Sequence, residues 1–112
     1  MAGKDMSFPR YLCADLVELR SSSGDSVVNL EEIWINGAVL DAEEPLEEGA
    51  NVEIRCRTAF FEARIVQVEQ HEFGWRCEVE FSPDTPWNPE RFQPQHLLDV
   101  SELKRREETG ES

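Results

Sequence analysis

The chain has 112 residues, 39% of them apolar, which is enough for one domain with one modest core and no separate large cleft. Its formal net charge of −13 repels a phosphate backbone and an anionic bilayer alike, so neither DNA, RNA nor a membrane surface is an expected partner. No stretch approaches the roughly 20 apolar residues of a membrane span; Met1–Arg10 lacks the apolar run of a secretory signal, and the expected location is cytoplasmic.

Residues 1–9 read as an N-terminal extension and 10–82 as a β domain. Tyr11–Arg20 predicts a first strand, Ser21–Asp25 a turn and Val27–Ile35 a second strand. Asn36–Gly37 is a tight-turn or bulge dipeptide, and Ala38–Asp41 a short third strand. Glu43–Gly49 is an acidic loop in which Pro45 forbids a helix interior. It ends a segment, residues 21–50, that carries eight acids and no base.

Period two then dominates. Val52, Ile54 and Cys56 share one face of Asn51–Arg57, while Glu53, Arg55 and Arg57 share the other. Phe60–Gln70 is β-rich, and Gln70–Gly74 makes the next turn. In Gly74–Phe81, Trp75, Cys77, Val79 and Phe81 alternate with Arg76, Glu78 and Glu80. Six short antiparallel strands with these turns predict a mainly β fold, a small six-stranded antiparallel β-barrel.

Beyond it, residues 83–98 form a Pro-rich loop packing on or beside the barrel, with Asn88–Pro89 able to start one helical turn through Phe92. Residues 99–112 read as a short C-terminal helix and frayed tail. Asp99 and Glu102 resemble a capping box, and Val100–Glu108 is the helix proper.

Catalytic and metal chemistry find no footing in these residues. Cys13, Cys56 and Cys77 are odd in number and lack metal-ligand spacing, so they read as reduced, partly buried thiols. His71 and His96 are solitary. Adjacent carboxylates such as Glu31/Glu32 point apart on a strand or are solvated in a loop. There is no phosphate-cradling glycine loop and no nucleophile elbow. The expectation is a binding module, not an enzyme, with no cofactor and no metal. Trp75 follows an inward phase and reads as core. Trp87, set among prolines, is either a plug on the barrel or an exposed partner contact.

The layout resembles the PilZ domain, a family of small β-barrels that bind cyclic di-GMP. Its pattern is RxxxR near the start, then (D/N)xSxxG some twenty to thirty residues later, then a second glycine before a strand. The corresponding segments here are Phe8-Pro9-Arg10-Tyr11-Leu12, Glu32-Ile33-Trp34-Ile35-Asn36-Gly37 and Leu46-Glu47-Glu48-Gly49. The resemblance covers about residues 8–82. It implies a cyclic di-GMP receptor or adaptor in bacterial signalling, with Arg10 and Lys4 on phosphate and guanine, Glu32 on a base edge, Trp34 within the site and Gly37 for close backbone approach.

Three positions depart from that pattern. Arg10 matches the second arginine, but Met6 stands at the first, with Lys4 the nearest substitute. Glu32 replaces Asp or Asn and Trp34 replaces Ser; Gly37 is kept. Arginine recognises guanine and phosphate through its planar fork, which methionine lacks. Losing two charge-assisted contacts costs on the order of 3–6 kcal/mol, roughly two to four decades of affinity. Trp34 offers a stacking face to guanine that recovers part of this. Two readings therefore stand: a cyclic di-GMP receptor with a degenerate site, and a nucleotide-independent protein–protein interaction module whose contacts are Trp34, Trp87, the acidic loop and the terminal helix.

Overall fold

The computed structural model describes residues 10–57 and 59–99. Lys4, the rest of the N-terminal extension and the helix expected over Val100–Glu108 lie outside these residues. Among those described there is no helix, and thus none long and apolar enough to cross a membrane.

The strands are β1 (Tyr11–Ser21), β2 (Gly24–Trp34), β3 (Gly37–Ala42), β4 (Asn51–Arg55), β5 (Phe60–His71), β6 (Gly74–Phe81) and β7 (Leu98–Asp99). Every pairing is antiparallel. Neighbours run β2-β3-β6-β5-β4-β1, and β1 pairs back onto β2, which closes a six-stranded barrel with no free sheet edge around its girth. The expected architecture is the one observed. β7 is an addition: Leu98 and Asp99, read from sequence as loop and helix cap, instead pair with Leu12 and Tyr11.

Alternation places the core. Val17 and Leu19, Val28 and Leu30, Ala38 and Leu40, Val52 and Ile54, Phe61, Ala63 and Ile65, then Cys77, Val79 and Phe81 all point inward and are buried. Trp75 sits half-buried against this core. The acidic loop is anchored to the barrel wall. Leu46 packs on the core, Gly49 (φ +88°) turns the chain in the left-handed region that glycine tolerates, and its N–H donates to the Ile65 carbonyl (2.7 Å). Glu48 accepts from the Val68 N–H (3.0 Å).

Alternation breaks at one place that matters later. Leu30 and Ile33 are both buried to 1% exposure although they are three residues apart. The ladder explains this: between Leu30↔Leu40 and Glu32↔Val39, β2 carries one extra residue, Glu31. The bulge resets the phase, so Glu31 and Glu32 lie on the same outer side. The expectation that these neighbours point apart holds only for an unbroken strand and is corrected here.

The Pro-rich segment closes one end of the barrel. Trp87 is only 3% exposed and belongs to the core cluster. Its backbone N–H donates to the Ile35 carbonyl (3.0 Å), and its indole N–H donates to the Phe92 carbonyl (2.8 Å). The Tyr11 ring meets it edge-on at 5.4 Å, and Phe92 meets Phe61 edge-on at 6.4 Å. Between them Asn88 caps a single turn, its Oδ1 accepting from the N–H groups of Glu90 and Arg91. Of the two sequence readings of Trp87, the structure takes the plug. Burial removes this side chain from the candidate partner contacts.

Candidate functional site

The outer face of β2, β3 and β6 carries the site. β2 presents Glu32 and Trp34 on one side, two residues apart, with Ile33 turned inward between them. The register Tyr11↔Ile33 and Leu12↔Glu32 places Arg10 across from Trp34 on the β1 side, while Trp34 pairs with Gly37 on the β3 side. Four candidate residues from two distant parts of the chain are thus brought together; Lys4 is outside the described residues.

Their contacts are specific. The Arg10 guanidinium lies 4.0 Å from the centroid of the Trp34 ring. Its Nη1 also donates to Glu32 Oε1 at 3.3 Å. The other carboxylate oxygen, Oε2, accepts from Arg76 Nη2 at 2.9 Å, and Arg76 Nη1 donates to Glu31 Oε1 at 3.3 Å. Glu32 is therefore held between two arginines, and Arg76 between two carboxylates. Further along the face His71 Nε2 meets Asp41 Oδ1 at 2.7 Å. Burial, with Asp41 adding to it, pushes the Glu31 carboxyl above its ordinary range.

Gly37 lies outside the turn that the Asn36–Gly37 dipeptide predicts. The turn itself is Ile35–Asn36, and Gly37 already belongs to β3 with no left-handed φ. A Cβ at Gly37 would strike the Val79 carbonyl and would stand 2.9 Å from the Trp34 ring. The missing side chain is what lets the indole lie down across β3. Beside it, Val39 is 2% exposed yet outside the core cluster. Ala38 and Leu40 point inward, so Val39 points outward and is nonetheless buried. Its ladder partners are Glu32 and Glu78.

Sequence reading missed Arg76, Glu31 and a second polar centre. Arg76 stands on the outward phase of β6, but only the β3–β6 pairing puts it beside β2. The second centre is Asp15, which follows Tyr11 and Cys13 and precedes Val17 and Leu19 on the inward phase of β1. It is 6% exposed. Its Oδ2 accepts from the Gln95 N–H and from Arg57 Nη1, both at 3.1 Å, and Arg57 Nη2 donates to the Gln93 carbonyl at 3.2 Å. An acid on an apolar phase was the available signal. The centre straps the Pro-rich segment across the stretch of β1 between its β4 and β7 pairings, and the Ala14 N–H reinforces it by donating to the Gln95 carbonyl (3.0 Å).

The thiols are chemically quiet. Burial, with Asp15 adding to it, pushes Cys13 and Cys56 up to about 12, and burial also raises Cys77. At neutral pH all three are protonated and poor nucleophiles. Among the described residues no group of His, Cys, Asp and Glu has the arrangement of a metal site. An open groove of about 1380 Å³ is lined by residues of β1, β4, β5 and β6, with Asp25 and Asn36 at its margin. Its arginines are engaged with carboxylates, Arg20 with Asp25 at 3.5 Å and Arg64 with Glu80 at 3.8 Å.

Fold and site together define a closed six-stranded antiparallel β-barrel with an arginine–tryptophan–carboxylate cluster on its outer face. Compared with family models, with curated proteins and with solved structures, the chain matches none.

Proposed function

We propose that this chain is a cytoplasmic, non-enzymatic protein–protein interaction module on a PilZ-like barrel, working without nucleotide. One observation carries the reading: the groups that would serve a cyclic dinucleotide are already engaged with one another. Arg10 lies on Trp34 and Glu32, and the remaining oxygen of Glu32 is taken by Arg76. A dianionic ligand would have to lift Arg10 off both partners and approach two carboxylates, in a segment with eight acids and no base. The face carries an aromatic ring and two arginines, residue types that are enriched at protein interfaces.

The second reading, a cyclic di-GMP receptor, has its own support. Arg10, Glu32, Trp34 and Gly37 lie in one cluster, as that reading requires of residues 22 positions apart and more. Isothermal titration with cyclic di-GMP separates the two. The interaction module predicts no heat up to millimolar nucleotide, for the native chain and for Arg10→Ala alike. Micromolar binding that disappears in Arg10→Ala would replace it with the receptor reading.

A further inference from the structure

We infer that Trp34 and Glu32 form a receptor seat for an arginine side chain of a partner protein, and that Arg10 occupies this seat as an internal stand-in. The inference rests on the interaction-module reading and gives it a ligand class.

The seat has the two elements that guanidinium recognition needs. An aromatic surface takes the flat cation at 4.0 Å, and a carboxylate oxygen takes one of its N–H donors at 3.3 Å. Both elements are held in place without Arg10. The indole is seated by the glycine at position 37, where a Cβ would intrude on the ring. The Glu32 carboxylate is fixed from its far side by Arg76, which Glu31 holds in turn. Charge points the same way. Glu31 and Glu32 face one fixed cation, Arg76, so the cluster is balanced only when a second guanidinium is present. On the same outer face Glu78 and Asp41 stand beside Val39 and Arg76 in the ladder and add two further carboxylates, so the face favours a basic partner.

Arg10 is suited to leave. It stands just before β1, outside the ladder, and its side chain is about half exposed (48%), against 16% for Glu32. The only contacts that fix its guanidinium among the described residues are those with Trp34 and Glu32. The exposed pair contributes only about 0–1 kcal/mol, and an incoming guanidinium restores at the seat the contacts that Arg10 gives up, which a dianionic nucleotide does not. A partner's arginine then meets a preformed site, and its apparent affinity is reduced by the fraction of time Arg10 holds the seat.

The test follows the three indole N–H signals by heteronuclear NMR. That of Trp34 is identified by its loss in Trp34→Phe, and N-acetyl-arginine methylamide is the probe. If Arg10 holds the seat about nine-tenths of the time, Arg10→Ala binds the probe about tenfold more tightly than the native chain. Glu32→Gln in the Arg10→Ala background reverses that gain, and N-acetyl-lysine methylamide binds several-fold more weakly. Unchanged or weaker binding of the probe to Arg10→Ala, with the amide spectrum of the folded barrel intact, overturns the inference. So does an equal response to the lysine probe, which reports general attraction of cations to an acidic surface. Cyclic di-GMP is titrated in parallel. Silence towards both ligands removes the arginine seat and leaves the interaction module standing. Micromolar nucleotide binding that needs Arg10 removes both.

Discussion

Trp87→Ala is expected to destabilise the barrel by about 3–5 kcal/mol, the range for truncating a buried aromatic. Trp87 is the bulk that fills the barrel end beneath the Pro-rich segment, with Tyr11 against its ring. Alanine would leave a cavity, and neighbours tied into β1 and the closing segment have little freedom to collapse into it. A small domain has only about 5–15 kcal/mol to lose, so the variant is marginal at room temperature. Trp87→Phe separates packing from hydrogen bonding. It keeps most of the burial but leaves the Phe92 carbonyl without the indole donor, at a cost of about 1–2 kcal/mol. Urea unfolding followed by far-UV circular dichroism gives both values. A change below 1 kcal/mol for alanine would mean that Trp87 does not plug the barrel.

Asp15→Ala is expected to cost about 2–3 kcal/mol. The substitution removes a buried carboxylate that accepts from the Gln95 N–H and from Arg57. The Gln95 amide then loses a charged acceptor that is itself buried (6% exposed), and a hydrogen bond to a charged group contributes about 1.5–3 kcal/mol. The stranded Arg57 contributes less, because its side chain is about half exposed (53%) and water solvates the charge. Asp15→Asn keeps an acceptor for Gln95 and gives up the charge, so about 1 kcal/mol is expected. The ordering alanine over asparagine, read from urea midpoints at constant slope, identifies the strap. Equal costs would assign the effect to the Arg57 charge alone.

These two side chains also show what sequence could and could not reveal. Strands were legible wherever apolar residues alternate, because a one-sided sheet must repeat every second residue. That rule gave six strands and the barrel. Trp87 was ambiguous because the prolines around it carry no periodicity, and only the fold decides which surface they cover. Asp15 was visible in principle as an acid on the inward phase of β1, but its meaning depends on Arg57 and Gln95, 42 and 80 residues away. The Arg10–Glu32–Trp34 cluster was reached through a family resemblance whose motif spacing happens to match the β1–β2 register. Arg76 was not reached, since no local pattern tells which strand lies beside β3. The Glu31 bulge left a trace, the three-residue step from Leu30 to Ile33, which strict alternation treats as noise.

The central claim is that the chain's own guanidinium already fills the tryptophan–carboxylate seat. A double-mutant cycle between Arg10→Ala and Trp34→Ala, measured by urea unfolding, tests it most directly. An occupied seat predicts a coupling of about 0.5–1 kcal/mol in favour of the pair. Costs that add to within about 0.3 kcal/mol would contradict the claim, because Arg10 would then be a solvated side chain and the seat would stand open.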